Sequence, residues 1–306
     1  MPTSTSFLRL SALTSGVLLC VGCPAKPVPD EAESRADAVP SEAAPQKQPL
    51  PKSDIDQVLN PAGRKPYTGP TGTVRGIVRL VGDAIPAAPE LIPELPLGKC
   101  LLARETYGKL LREGPKRELA DALVAVTEFD GWVPAKTPAH LVVSDECSFE
   151  TRTIAYTYGQ LLQVKNKGPE AVIPQLIGVS SGVLLVALPG GPPVDLLAPK
   201  PGQYRLVDQT HPFATADVFV LAYPTTDVTD TLGRFEITGI PAGTVKLSVM
   251  IPAFRQTHSQ QVTIDPAKTA EVEIEMPING AELAAALVKL RKETAPPVNH
   301  VAPSAP

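Results

Sequence analysis

The stretch 210–250 constrains the fold of this chain more than any other. It reads THPFATADVFVLAYPTTDVTDTLGRFEITGIPAGTVKLSVM and alternates three strand-like runs, 217–222, 234–238 and 244–250, with turns. The runs are rich in β-branched and aromatic residues, which fit a pleated and half-buried surface. The bends between them are supplied by Asp230, Gly233, Gly239, Pro241 and Gly243. This spacing predicts a mainly β fold.

The order of these strands and turns resembles a known sandwich. A strand, a Thr-Asp-x-x-Gly-Arg-Phe turn, a second strand, a Pro-Ala-Gly turn and a third strand follow one another. That order resembles the second half of a carboxypeptidase regulatory-like (transthyretin-like) β-sandwich, and the alternating run 73–81 resembles its first strand. The resemblance implies that residues 71–82 and 217–276 form this sandwich, with residues 83–216 as an inserted or second β-module.

The inserted module has a resemblance of its own. The motifs CSFE at 147–150, GQLLQVKN at 159–166 and HPF at 211–213 occur in that order. The same order is found in exported cupredoxin-like proteins related to methylamine-utilisation proteins. In that family a histidine following an Asn-x-Asp stretch and a Cys-x-x-His-x-x-Met cluster hold copper. The resemblance therefore implies a cupredoxin-like module in residues 83–216.

The copper ligands of the family are largely absent from this chain. Val172 stands where the first histidine is expected, Asp208 at the cysteine position and Ala214 at the methionine position, so that His211 alone remains. A type 1 copper site needs a thiolate and two imidazoles. We therefore expect no copper and no other cofactor. Asp208 with His211 is a weak candidate for a harder metal, but a hydrogen-bonded structural pair is the favoured interpretation.

The N-terminus predicts export and lipid attachment. Residues 1–22 combine Arg9 with a short apolar run, as a secretory signal does. The run LCVGC at 19–23 resembles a bacterial lipobox, which would make Cys23 the acylated N-terminus of the mature protein. Cleavage of an ordinary signal near residue 22 is the alternative. Residues 23–66 are rich in Pro, Ala, Glu, Lys and Ser without apolar periodicity, which predicts a disordered tether.

Cys100 and Cys147 are the only cysteines outside the signal and lipobox. In an exported protein such a pair predicts a disulfide bond. Two buried thiols and a metal site are the alternatives. No histidine is close enough in sequence to either cysteine to give zinc-ligand spacing, although distant residues can still approach in the fold.

The C-terminal residues 279–293 predict one amphipathic helix. Asn279 and Glu282 form a capping pair. The apolar residues that share one stripe of this helix are Leu283, Ala286, Leu287 and Leu290. We expect the stripe to pack on a sandwich, with docking to a partner as the alternative, and we expect residues 294–306 to form a disordered tail.

A second apolar run, at residues 176–188, has two interpretations. It is rich in Val, Leu and Gly, which favours one or two buried strands. The alternative is an exposed patch that contacts a partner.

Composition excludes some functions. The formal net charge is -4 and there is no basic stripe, which argues against a nucleic-acid partner. The sequence contains no Gly-x-Ser-x-Gly elbow, Walker loop or His-Glu-x-x-His helix. The expected fold is thus mainly β, with Greek-key β-sandwich modules, a C-terminal amphipathic helix and a disordered N-terminal linker.

The expected function is that of a non-enzymatic protein of the bacterial cell envelope that binds or scaffolds an envelope partner. It would be held at the membrane by the lipid on Cys23. Pro24 in place of an aspartate favours the outer membrane, facing the periplasm or the surface. A copper electron-transfer protein and an accessory module of an envelope hydrolase are the alternatives.

Overall fold

The described chain is built mainly of β-strands, as the sequence predicts. The computed structural model describes residues 50–85, 89, 92–96, 99–179 and 182–294. The predicted signal segment 1–22, the acylation site Cys23, most of the tether and nearly all of the C-terminal tail lie outside the described residues.

Three α-helices and fifteen strands follow one another along the described chain. In chain order they are α1 Lys52–Leu59, β1 Thr71–Gly82, α2 Leu101–Tyr107, β2 Leu123–Thr127, β3 Ala139–Asp145, β4 Ser148–Phe149, β5 Thr153–Thr157, β6 Leu161–Asn166, β7 Pro174–Ile177, β8 Val194–Leu196, β9 Gly202–Asp208, β10 Thr215–Leu221, β11 Thr226–Val228, β12 Arg234–Pro241, β13 Gly243–Ile251, β14 Gln256–Ile264, β15 Thr269–Ile278 and α3 Gly280–Thr294. A single 3-10 turn, Pro252–Phe254, joins β13 to β14.

The first sandwich packs a three-stranded sheet, in the order β12-β1-β15, against a four-stranded sheet, in the order β11-β2-β13-β14. Strand β1 lies in the middle of its sheet, antiparallel to β12 and parallel to β15. Its alternate residues Val74, Val78 and Leu80 are buried in the core of this sandwich. The period-two pattern that predicts β1 therefore also identifies the face that it buries.

The second sandwich packs the sheet β5-β10-β9-β7 against the sheet β4-β3-β6-β8. Each sheet contains one parallel pair: β5 with β10 in the first and β3 with β6 in the second. The core of this sandwich is separate from that of the first and includes the fully buried Phe149, Leu162 and Leu206. Each sandwich thus has its own core.

Two strands pair differently from the division that the sequence suggests. Strand β2 lies within the segment 83–216 but pairs with β11 and β13 of the first sandwich. Strand β10 extends into the segment 217–276 but pairs with β5 and β9 of the second. Alternation of apolar residues defines a buried face without identifying the sheet against which it packs. The strands therefore change sandwich after β2 and after β10, and not at residues 82 and 216 as the linear division suggests.

The two sandwiches meet at a small third cluster and at a buried ion pair. The third cluster consists of Leu123 from β2, Ala155 from β5 and Phe219 from β10. Beside the sandwiches, the guanidinium of Arg112 donates to both carboxylate oxygens of Asp121, at 2.6 and 2.5 Å. The side chains of this pair are only 12% and 11% exposed.

Asp121 also binds the segment that leads into β5. Its Oδ1 accepts from the backbone N–H of Arg152 at 2.8 Å and from the hydroxyl of Thr151 at 3.0 Å. Thr153 donates its hydroxyl to the backbone carbonyl of Asp121 at 2.7 Å. Because Asp121 directly precedes the buried run that becomes β2, these bonds tie the two sandwiches together.

Helix α1 corrects one prediction. Residues 52–59 fall in the segment predicted to be a disordered tether, yet they form a helix. Ile55 and Leu59 lie four residues apart on one face of this helix and pack against the core of the second sandwich. A helix this short is marginal by itself and is stabilised by tertiary packing, which its sequence does not reveal.

Helix α3 confirms the predicted C-terminal helix. The side chain of Asn279 accepts from the backbone N–H groups of Ala281 and Glu282, at 3.0 and 3.3 Å, and so caps the helix. Leu283 and Leu287 are buried, and Leu283 belongs to the core of the first sandwich. The side chains of the other two stripe residues lie outside the described part of the structure. Within that part, no helix has both the length and the apolarity needed to cross a membrane.

Candidate functional site

The loop between β9 and β10 is organised by the buried carboxylate of Asp208. Its Oδ1 accepts from the backbone N–H groups of Ile173 and Thr210, at 2.9 and 3.0 Å, and from the Thr210 hydroxyl at 2.6 Å. Its Oδ2 lies 2.8 Å from Nδ1 of His211. The carboxylate is therefore fully engaged in fixing the loop, which agrees with the structural interpretation of this pair.

The positions that would hold type 1 copper do not fit that metal. Val172 is buried, and its backbone exchanges hydrogen bonds with Ala187. Ala214 is buried and closes the loop by donating its N–H to the carbonyl of His211 at 2.8 Å. Neither side chain has a donor atom, and Asp208 offers oxygen where the site needs a thiolate. The geometry thus provides one imidazole and no sulfur at these positions.

Two sulfur atoms from outside the type 1 positions lie beside His211. Cys100 and Cys147 form the predicted disulfide, with a Cα–Cα distance of 5.3 Å. Their sulfur atoms and a ring nitrogen of His211 lie within 4.8 Å of one another. The sequence separates His211 widely from both cysteines, so no spacing motif could have indicated this cluster. We call Cys100, Cys147 and His211 the Cys-Cys-His cluster.

Aromatic residues pack beside the Cys-Cys-His cluster. Tyr107, at the end of the helix that begins directly after Cys100, packs edge-on against Phe213 with ring centroids 6.3 Å apart. Phe213 in turn lies 5.7 Å from the imidazole of His211. Burial raises the pKa of Tyr107 to about 12, so its hydroxyl stays protonated at neutral pH. One side of the cluster is therefore apolar and uncharged.

A second candidate surface is the apolar loop, which we define as residues 182–188. The sequence favours buried strands over 176–188, but the structure ends β7 at Ile177 and leaves much of the loop exposed. Its exposed apolar side chains are Val183 at 38%, Leu184 at 63%, Val186 at 39% and Leu188 at 59%. The preference for buried strands is thus wrong for this segment, and the alternative of an exposed patch describes it better.

A cleft of ≈ 590 Å³ with a mixed polar and apolar lining lies where the two sandwiches face each other. Residues from both sandwiches line it, including Thr157, Gln160, Thr226 and Thr238. His140 also lines the cleft and stacks on Tyr156 with ring centroids 6.1 Å apart. Burial lowers the pKa of His140, which favours the neutral imidazole.

Burial also affects the carboxylate of Asp227, which lines the cleft. Asp227 accepts backbone N–H groups from Val228 at 2.8 Å and from Glu236 at 2.7 Å. Desolvation by burial raises the pKa of Asp227, and the two hydrogen bonds oppose that shift. The side chain of Asp227 therefore binds the backbone of both β11 and β12.

These features define the class of protein: a mainly β protein of two packed sandwiches with a small cluster of sulfur and imidazole at one loop. A family model of the carboxypeptidase regulatory-like domain matches residues 203–277. The match includes β11–β15, which pair in the first sandwich, and also β9 and β10, which pair in the second. The resemblance predicted for this segment is confirmed.

Solved structures of cupredoxins are also similar to parts of the chain. The reduced state of an amicyanin mutant is 17% identical, with a TM-score of 0.25, over 32% of this chain and 98% of the amicyanin chain. A purple cupredoxin from Nitrosopumilus maritimus is 14% identical, with a TM-score of 0.23, over 26% of this chain and 98% of that chain. No curated protein matches the chain.

Proposed function

We propose that this is a non-enzymatic, lipid-anchored protein of the bacterial cell envelope that binds an envelope protein through the apolar loop. The sandwiches serve as a rigid scaffold that presents the loop, and the tether from Cys23 holds the scaffold at the outer membrane. The observation that carries the proposal is the exposure of four apolar side chains of this loop, Val183, Leu184, Val186 and Leu188.

The apolar loop supports binding because its exposure is concentrated. Leu184 and Leu188 are each more than half exposed, and two further valines lie between or beside them. Single exposed apolar residues are normal on protein surfaces, whereas clustered ones mark sites that contact a protein or a membrane. Close to the loop in sequence, Ile177 is also 47% exposed. A partner that covered these side chains would remove apolar area from water, which favours association.

The donor set argues against the alternative of a copper electron-transfer protein. Val172, Asp208 and Ala214 occupy three of the ligand positions, and each is engaged in packing or backbone hydrogen bonding. Type 1 copper requires a thiolate with two imidazoles. Purified protein loaded with copper should therefore lack the blue thiolate-to-copper absorption band.

Site-specific photo-crosslinking in intact cells tests the binding surface. A photoreactive residue at Leu184 should capture a discrete envelope protein. The matched control is Leu232, which is 45% exposed but lies in the turn between β11 and β12. Equal capture at both positions, or none at Leu184, would contradict the proposal.

Membrane fractionation tests the anchor separately. Cys23→Ala should release the protein from the outer-membrane fraction, because the acyl chains provide the attachment. A variant that still floats with membranes would show that the lipobox interpretation is wrong, while leaving the binding surface open to the crosslinking test.

A further inference from the structure

The Cys-Cys-His cluster has a capacity that goes beyond the proposed binding function. We infer that, once the Cys100–Cys147 disulfide is reduced, the two thiolates and the imidazole of His211 form a binding site for Cu(I). This site uses none of the missing type 1 positions. It lies at the same loop only because His211 belongs to both arrangements.

The distances within the cluster suit a metal. The two sulfur atoms and a ring nitrogen lie within 4.8 Å of one another. Metal–sulfur and metal–nitrogen bonds of roughly 2.3 and 2.0 Å separate neighbouring ligand atoms by less than that distance. The Cα atoms of the cysteines are 5.3 Å apart. Opening the disulfide therefore lets the thiolates move apart by a small side-chain rotation without displacing either strand or helix.

The imidazole is already oriented. Its Nδ1 lies 2.8 Å from the buried carboxylate of Asp208. When that carboxylate accepts a hydrogen bond from Nδ1–H, Nε2 is the ring nitrogen that can bind a metal ion. A carboxylate that fixes the tautomer in this way is typical of metal-binding histidines. The Nε2 atom lies 3.4 Å from a carboxylate oxygen of Glu170, whose side chain is 57% exposed. An exposed partner of this kind can move aside when a metal binds.

The backbone around the cysteines is also unusual. Cys100 and Cys147 both have positive φ angles, 58° and 62°, and the preceding Glu146 has 40°. Such angles are unfavourable for L-residues and persist where the surrounding structure imposes them. Cys100, Cys147 and His211 are all partly exposed, so that both a reductant and a metal ion can reach them.

The donor chemistry selects the ion. Thiolates are soft ligands that favour Cu(I) and zinc, and structural zinc sites nearly always have four ligands. Two thiolates and one imidazole supply three donors, which suits Cu(I). The apolar contacts of Phe213 and Tyr107 shield one side of the cluster and reduce the access of water.

The redox step balances as thiol–disulfide exchange. A dithiol reductant transfers two electrons and two protons to the Cys100–Cys147 bond and becomes a disulfide itself. Binding of one Cu(I) then displaces the two thiol protons to solvent, because the thiolate is the metal ligand. In the oxidised protein the sulfur atoms are bonded to each other, and the site is closed.

Competition for Cu(I) tests the inference. The full chain is prepared with Cys20→Ser and Cys23→Ser, so that the cluster holds its only cysteines, and is reduced anaerobically with dithiothreitol that is then removed. Titration against a chromophoric Cu(I) chelator should give one Cu(I) per reduced chain and none per oxidised chain. His211→Ala should weaken the affinity by at least the tenfold that even outer-shell changes cost. His258→Ala, on the other sandwich, should not change it.

Several results would overturn the inference. Reduced protein that binds no Cu(I), or that binds it equally well with His211→Ala, excludes the site. X-ray absorption at the copper edge should count two sulfur donors and one nitrogen, and sulfur-only coordination would refute the role of His211. Loss of the β-sheet circular dichroism signal on reduction would refute it as well, since the site requires the folded loop.

Discussion

The ion pair between Arg112 and Asp121 offers the sharpest test of how the two sandwiches are joined. Asp121 accepts four hydrogen bonds: two from Arg112, at 2.5 and 2.6 Å, one from the Thr151 hydroxyl and one from the Arg152 amide. In Asp121→Asn the oxygen that replaces Oδ1 can still accept from one Arg112 nitrogen, the Thr151 hydroxyl and the Arg152 amide. It no longer carries a negative charge. The amide nitrogen then replaces Oδ2, so that its N–H groups face the N–H of Arg112 Nε and no acceptor is left for that donor.

The cost of this substitution follows from burial. The side chain of Arg112 is only 12% exposed, so water cannot replace the lost carboxylate. Removal of one partner from a buried ion pair typically costs about 3–5 kcal/mol, because the remaining charge is left uncompensated. A second, partly buried cation adds to the cost: desolvation lowers the pKa of Arg152, and the Asp121 carboxylate opposes that shift. We expect Asp121→Asn to lower the free energy of unfolding by this amount.

The chain offers a matched control. Arg75 and Glu236 form a similar cross-strand pair at 3.0 Å, but their side chains are 51% and 46% exposed. Exposed pairs contribute roughly 0.2–1 kcal/mol. Glu236→Gln should therefore change stability by no more than this.

Urea denaturation followed by circular dichroism measures both variants. Because the pair joins two cores, Asp121→Asn should also separate the unfolding of the two sandwiches into distinct transitions. If Asp121→Asn costs no more than Glu236→Gln, the buried pair does not hold the sandwiches together and the reasoning is refuted.

Three further predictions concern single features. Replacing Cys100 and Cys147 by Ser should lower the free energy of unfolding by about 4 kcal/mol, because the bond closes a loop with a sequence separation of 47; denaturant titration with and without reductant measures this, and equal curves would contradict it. Gly233→Ala should be clearly more destabilising than Gly178→Ala: both have φ angles near 70–90°, but a Cβ at 233 would lie 2.6 Å from a backbone oxygen whereas one at 178 meets nothing within 4 Å. Because burial lowers the pKa of His140, the unfolded chain binds the proton first, and wild-type stability should fall as pH drops below about 6.5; His140→Gln should flatten this part of the curve of unfolding free energy against pH.

Local patterns were sufficient for two strands of the first sandwich. The runs 234–238 and 244–250 become β12 and β13 because alternation and turn chemistry act over a few residues. Asn279 likewise predicts the start of α3, because an N-cap side chain binds only the amides of the next three residues. The sequence also predicted the disulfide, because two cysteines in the folded part of an exported chain favour a disulfide bond.

Sequence patterns failed where burial or strand pairing depends on the tertiary neighbours of a segment. The composition of the apolar run 176–188 predicts buried strand, but burial depends on the tertiary fold, which leaves Leu184 and Leu188 more than half exposed. Helix α1 needed the second core for its packing. The alternation within β10 did not identify its neighbours β5 and β9.

The sequence by itself predicted a mainly β fold and favoured a disulfide between Cys100 and Cys147, whereas the sandwich modules and the replaced copper positions were implied by family resemblance. The strand prediction rests on alternation and turn chemistry, which act between near neighbours in the chain. Only the tertiary structure decided that strands β2 and β10 cross between the sandwiches and that His211 meets the Cys100–Cys147 bond. Those contacts join residues far apart in sequence, and the packing that brings them together is a property of the whole core.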